Sequence, residues 1–478
     1  MDIVSLIQGF VSDLLKIEEN FFQEPEKFEN TERDAKELGD RTVARFLSML
    51  LTEADEMIQR SSLRKKKYDI QRHKQRTLVS MVGDINFIQT TFRDRDTGEY
   101  RALLPEMIHL PPKERFTTMG EAKTLSVAEV RSYQYAADSM KSDKQTISKV
   151  TVMNKVHKIE ENISEFEENE ECEKRVVDYL YIEADEDHIH RQKTDDKDGC
   201  IIGKLAYLFE GKEDVCTGKR QLVKPFYFGG LYSGDNNALY WEEIDKFIER
   251  HYDQRFLKAV YICSDGAGWI KAGKDYIYKS VLVADRFHLM KYINRVSRLT
   301  EDYENETKAR FYKYIYKDKL LAAEKMLTRI KNRFGGENAV EDCRTYFRNN
   351  WEAIQRAFHD KNALGCSAEG HVSNVYSDRM SSRPMGWSEI GSDRMCKLRC
   401  FVRNYGRERI ADLVKFRREK ELNKLQATGT DGIVESLPKK DYSLEQRRAY
   451  AYIERMQATL GGNTVKKTLA IRNRLNDI

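Results

Sequence analysis

"YLYIEADEDHIH", Tyr179–His190, is the stretch on which the fold turns. Its first half is an apolar run of strand-forming residues, the pattern of a buried strand. The run stops on Asp185, and Glu186, Asp187, His188 and His190 follow at once. Carboxylates gathered at a sheet edge repel one another unless a cation or a hydrogen-bond donor neutralises them. A core strand that ends this way is therefore presenting its acids to something. His188 and His190 alternate with Asp187 and Ile189 and read as a polar strand face.

Downstream, "CIIGKLAYLFEG" (200–211) and "RQLVKPFYFGGLY" (220–232) are two more strand-like runs, separated by the turn sequences "TDDKDG" and "VCTGK". Three consecutive strands predict an antiparallel meander. "NNALYWEEIDKFIERHYD" then reads as an amphipathic helix. "LKAVYICSDGAGWIK" is an apolar run ending on Asp265, and "YKSVLVADRFHLMKYINRV" is another that ends at Asp285 and enters a helix. The order β-β-β-α-β-α-β-α, a meander joined by crossovers to parallel strands, is the ribonuclease H-like arrangement. Such connections bring loops and carboxylates together at strand ends. From Tyr292 to about residue 362 the sequence is charged and helical throughout, an expected insertion into the α/β core. Glu369 follows it in "CSAEGHVSN", where Ser367 is placed to cap a helix that Glu369 opens.

Upstream, residues 1–61 predict two or three amphipathic helices. Residues 62–120 combine a basic block, "RKKKYDIQRHKQR" (64–76), with a β-rich piece. Residues 121–160 parse as a helix-turn-helix. Tyr133, Ala136 and Ala137 share one face of a first helix, and a polar break follows at Lys141–Lys144. A second helix turns Ile147, Val150 and Val156 inward and leaves Ser148, Lys149, Thr151, Asn154 and Lys155 for a DNA groove. The acidic stretch at 161–173 reads as a linker. The core is expected at 174–291 and 363–420, with the insertion at 292–362 between them and a basic helical region at 421–478.

The chain of 478 residues is 40% hydrophobic and 33% charged, with a formal net charge of only +4 and a mean hydropathy of −0.69. No run reaches the roughly 18 apolar residues that a membrane span needs. The eight cysteines are scattered, and Cys396 and Cys400 are the only close pair. They read as reduced thiols of a cytoplasmic protein, with no zinc site.

Asp185, Asp265 and Glu369 are thus the candidate catalytic acids. Hard oxygen ligands with few histidines suit Mg²⁺ or Mn²⁺, and two such ions can activate a water or a 3′-hydroxyl and stabilise the leaving oxygen of a phosphodiester. The order Asp, Asp, helical insertion, Glu resembles that of the DDE transposases. "ADRFHLMKYI" resembles the [C/D]-x-x-H motif of the Mutator-like group, matched by Asp285 and His288. "SDGAGWIK", "AEGHVSNVYSDRMSSRPMGWS" and "RTLVSMVGDINF" are similar to bacterial insertion-sequence transposases of the ISLre-two family. The resemblance covers nearly the whole chain. It implies an α/β ribonuclease H-like core with an α+β N-terminal region, and Asp185, Asp265 and Glu369 as catalytic and metal-binding residues. Asp285 and His288 are then an accessory motif. Glu186 follows the first acid where related families carry glycine, so Asp187 stands as the alternative to Asp185; the end of the apolar run favours Asp185.

The implied activity is cleavage and joining of double-stranded DNA, at transposon ends and target, by a homodimer or higher oligomer working on the bacterial nucleoid. Ser148, Lys149, Thr151, Asn154 and Lys155 would bind terminal repeats. Arg64, Lys65, Lys66 and Lys67 would hold backbone phosphates, and Arg383 and Trp387 would contact or stack on flanking DNA, with a place in the core as the alternative for Trp387. A resolvase-like nuclease would share the acids but has less need of a helix-turn-helix. A transposase-derived DNA-binding protein would keep the helices without needing the acids.

Overall fold

The computed structural model describes residues 3–140, 146–169, 173–193, 199–216, 219–383, 385–424, 433–439 and 442–455. The chain divides into two compact units.

The first unit draws on Met1–Thr124, Gln134–Lys149 and Val414–Ile478. Helices Ile3–Gln23 and Phe28–Arg60 precede a three-stranded antiparallel meander of β1 (Tyr68–Ser80), β2 (Gly83–Asp94) and β3 (Tyr100–Arg101). Its core joins Ile58 of the long helix to Tyr68, Leu78, Ile85, Phe87 and Phe92 of the sheet. A buried carboxylate fixes that packing: Asp55 accepts from the Thr90 backbone amide at 3.0 Å and from the Thr90 hydroxyl. The basic block lies in a short helix, Ser62–Lys67, and the exposed start of β1. The polar break expected at Lys141–Lys144 lies outside the described residues.

The second unit, Leu125–Tyr133 and Val150–Leu413, is α/β. Its strands are β4 (Tyr179–His190), β5 (Cys200–Phe209), β6 (Gly211–Cys216), β7 (Lys219–Val223), β8 (Phe226–Gly230), β9 (Ala259–Ser264) and β10 (Ser280–Ala284). Five of them form one mixed sheet in the order β10-β9-β4-β5-β8. β4, β5 and β8 run antiparallel; β9 pairs parallel to β4, and β10 parallel to β9. Leu180, Ile182 and Ala184 of β4 face a core closed by Tyr240, Trp241, Ile244 and Ile248 of helix Asn236–His251. The alternate residues Tyr181, Glu183 and Asp185 face the other side. There the Tyr181 ring stacks on Tyr261 and on Phe209, both at 5.4 Å.

Three sequence expectations are corrected here. Asp185 does not end its strand. The parallel ladder with β9 stops at Glu183, but β4 continues to His190 because β5 pairs with it along Tyr181–His190. The third run of the meander is two strands: Lys219–Val223 turns back on Gly211–Cys216 as a separate ribbon, and only Phe226–Gly230 joins the sheet. The acidic linker contains a helix, Glu160–Asn169. Ile163 and Phe166, three residues apart on one face, are buried, and the Phe166 ring meets Phe401 edge-on at 5.7 Å.

The segment from Tyr292 onward is helical, with helices Arg286–Ser297, Glu304–Tyr316, Leu320–Phe334 and Glu337–His359. No helix among the described residues is long and apolar enough to cross a membrane.

Candidate active site

The register of the parallel strands builds the site. The last parallel pair of β4 and β9 is Glu183 with Cys263, and two residues beyond it stand Asp185 and Asp265. Ser264 pairs with Ala284 of β10, and the next residues are Asp265 and Asp285. Three aspartates thus stand at one level on three adjacent strands. The ladder extends to them, since the Asp285 amide donates to the Ser264 carbonyl at 2.9 Å.

Each aspartate is held differently. Burial pushes the Asp185 carboxyl up to about 6, against the pull of the Glu186 amide (2.8 Å), and the neighbouring Asp265 carboxylate pushes it further. Asp265 accepts from the Ala267 amide at 2.7 Å in a turn where Gly266 has φ +109°. That conformation favours glycine, and a β-carbon at Gly266 would also press on the Tyr346 ring. Asp285 caps helix Arg286–Ser297, accepting from the Phe287 amide at 2.9 Å, and its second oxygen takes a bond from His288 Nδ1 at 2.7 Å. This bond raises the proton affinity of His288, and Asp265 adds to it. The imidazolium so favoured lowers the Asp185 carboxyl in turn.

Glu369 lies in the first turn of helix Ala368–Val372, exposed, its side chain with no hydrogen bond or ion pair among the described residues. No three His, Cys, Asp or Glu side chains among those residues are grouped to hold a metal. Ser367 does not cap that helix. Its amide (2.6 Å) and hydroxyl (2.9 Å) both go to Glu183, a buried carboxylate that also takes Lys212 Nζ at 2.8 Å and the Tyr207 hydroxyl. Asp187 accepts from the Ser381 hydroxyl at 2.9 Å, and Glu186 from Trp269 Nε1 at 3.0 Å. The sequence reading missed Glu183 and Tyr346. Glu183 shares the odd-numbered face of Asp185, and that spacing was the available signal. Tyr346, on helix Glu337–His359, is buried beside Gly266 with no hydrogen-bond partner for its hydroxyl among the described residues. Burial disfavours its ionisation, and Asp285 and Asp265 add to this. No local pattern marks it.

The residues expected to meet DNA divide. Ser148, Lys149 and Asn154 are exposed, and Thr151 is half-buried. Lys155 is buried and Val150 exposed, the reverse of the expected facing, because helix Lys149–His157 turns Val152, Lys155 and Val156 inward. Lys65 and Lys66 are exposed, Arg64 donates to the Gln59 carbonyl at 2.6 Å, and Lys67 pairs with Asp94 at 3.6 Å. Arg383 is exposed. Trp387 is not a stacking platform: it is 5% exposed, Nε1 donates to the Met380 carbonyl at 3.1 Å, Tyr133 packs edge-on at 6.0 Å, and the Arg379 guanidinium covers the ring.

A family model described as an uncharacterised protein family, UPF0236, matches residues 22–417. A UPF0236 protein of Caldanaerobacter subterraneus subsp. tengcongensis, named under eleven locus designations, is 30% identical over 402 residues, 83% of this chain and 82% of its own. A second from the same organism is 32% identical over 379 residues, 78% of each chain. Among solved structures, the Drosophila P element transposase strand transfer complex aligns over 72% of this chain and 93% of its own, at 10% identity and a TM-score of 0.22, short of a common fold.

Proposed function

The chain belongs to the uncharacterised protein family UPF0236, and from that premise we propose that it is a metal-dependent DNA transposase of the ISLre-two type with a ribonuclease H-like catalytic core. The observation that carries the reading is the level of Asp185, Asp265 and Asp285 on adjacent parallel strands. Burial and mutual repulsion at Asp185 describe a site that a cation would relieve. The strand order supports the core assignment, because a meander followed by two parallel strands beside its first strand is the ribonuclease H-like order. A relative named under eleven locus designations is what an element that copies itself leaves in a genome.

Asp185 and Asp265 offer oxygen donors of the kind that fit Mg²⁺ or Mn²⁺. Such an ion would activate the attacking oxygen and stabilise the leaving one. Glu369 is the third acid in this reading. Its helix is tied through Ser367 to Glu183, two residues before Asp185 on β4. Asp285 orients His288 and keeps its ring inclined to carry a proton beside the two carboxylates, where a phosphate would need a positive neighbour. In the first step the oxygen of water bonds to phosphorus and the bond to the 3′-oxygen breaks, freeing a 3′-hydroxyl. In the second that hydroxyl bonds to a target phosphorus and displaces the target's own 3′-oxygen. The protein would act as a dimer or larger assembly on DNA in the cytoplasm.

The test is incubation with DNA from the ends of its own element and Mg²⁺, with cleaved strands mapped at nucleotide resolution. Nicks at the element boundary with free 3′-hydroxyls are expected. Intact DNA with both Mg²⁺ and Mn²⁺ would refute the reading.

A further inference from the structure

The second unit contains a cleft of about 790 Å³ that the candidate active site does not use. Six arginines line it against two carboxylates, Glu129 and Asp378. Two of the six serve the fold. Arg379 donates to the Ala128 carbonyl at 3.2 Å; Arg399 donates to the carbonyl of Glu129 at 2.7 Å and to its carboxylate at 2.8 Å. They satisfy the C-terminal carbonyls of helix Thr118–Val130, which have no partner within their own helix. Arg407 takes the second Glu129 oxygen at 3.0 Å, so that carboxylate is fully engaged. Arg131, Arg383 and Arg403 stand exposed in the same lining. Arg403 is turned in by a bond to the Asn374 carbonyl at 3.1 Å.

Charge is left over. The lining sets six guanidinium groups against two carboxylates, and burial, with Arg399 and Arg383 nearby, lowers the Arg379 guanidinium to about 10. Arg399 and Arg403 lie one turn apart on helix Glu389–Tyr405, with Arg407 just past its end, so the charge repeats at about 5–6 Å along the helix. A repeating stripe matches a ligand with repeated negative charges better than a single phosphate. Guanidinium forks suit phosphate oxygens.

We propose that this arginine-lined cleft is a binding track for the phosphate backbone of DNA, separate from the acids. The inference rests on the transposase reading for its occupant. It would hold the duplex by charge and carry no sequence information itself.

The test uses the full chain and two rim substitutions, Arg383→Ala with Arg403→Ala, which leave Arg379, Arg399 and Arg407 on their partners. Binding of a labelled duplex of unrelated sequence is followed without divalent ions between about 50 and 200 mM salt. The slope of log K against log salt should fall by about two for the double variant, with an unchanged melting temperature, and Arg383→Lys with Arg403→Lys should keep most of it. An unchanged slope overturns the proposal, as does displacement of the duplex by inorganic pyrophosphate through the same two arginines at equal phosphate concentration. If the slope is unchanged while the wild type still nicks element ends, the cleft assignment alone fails. If the slope falls while no end duplex is ever nicked, the cleft stands and the strand-cutting reading fails.

Discussion

Replacing Asp185 with asparagine should stabilise the protein while destroying its activity. The Asp185 carboxyl sits at about 6 where an ordinary aspartate sits at 3.8. The folded protein therefore holds this proton more tightly than the unfolded chain. Below about pH 4 the group is protonated in both states and costs nothing. Between about 4 and 6 the unfolded chain ionises first, so stability falls as pH rises. Above about 6 the full cost is present, near 3 kcal/mol at about 1.4 kcal/mol per pH unit and about 2 kcal/mol once partial solvent screening is allowed for. Asparagine keeps the shape and an oxygen for the Glu186 amide, but carries no charge. All four tryptophans lie within Val150–Leu413, so urea denaturation followed by tryptophan fluorescence reports the unit that holds the site. In metal-free buffer D185N should exceed the wild type by about 2 kcal/mol at pH 8 and match it at pH 4. Added Mg²⁺ should raise the stability of the wild type only, because an ion that binds the folded state stabilises it by mass action. A variant no more stable at pH 8, or a gain that persists unchanged at pH 4, would refute the electrostatic argument.

Asp265→Asn should abolish nicking of end DNA and leave duplex affinity intact or slightly tighter, measured by anisotropy; full nicking would remove Asp265 from the site. Lys149→Ala should lower the salt slope of DNA binding by about one, whereas Lys155→Ala, at a buried position, should lower the melting temperature and leave the slope alone; the reverse pattern would mean the helix presents its other face. Glu369→Gln should melt like the wild type and cut nothing in single-turnover assays with Mg²⁺ or Mn²⁺. Asp285→Asn should keep the helix cap, since asparagine caps as well as aspartate, and shift the pH dependence of cleavage downward as His288 loses its charged partner; a folded, inactive Asp285→Asn beside an active Glu369→Gln would move the third acid to Asp285.

The parallel strands were legible because buried strands are continuous apolar runs, and those of β9 and β10 each stop on an aspartate. What failed was one-sided information. The extent of β4 depends on β5, which pairs with it along Tyr181–His190, and a strand's end cannot be seen in one strand alone. Lys155 was assigned to the surface from its charge, yet the facing of a nine-residue helix is set by its neighbours, and Val150 took the exposed position instead. Trp387 is held in the core by its bond to the Met380 carbonyl and by Tyr133, which comes from far away in sequence. Tyr346 could not be found at all, since its position depends on how the helix Glu337–His359 lies against the turn at Gly266.

The same long-range dependence bears on Glu369. An acid on a short helix has little to fix it locally: five residues make about one turn, and Ser367 supplies no cap. The anchor is Glu183. Its buried carboxylate holds the Ser367 amide and hydroxyl and is neutralised by Lys212, whose Nζ also reaches the Gly365 carbonyl. Strand β4 thus carries Asp185 half-buried on its odd-numbered face and, two residues earlier, the group that holds the start of the Glu369 helix. The two acids are then positioned from one strand, although 184 residues separate them. The bond from Glu183 to Ser367 specifies where the helix begins, whereas apolar contacts, being non-directional, would leave its register free.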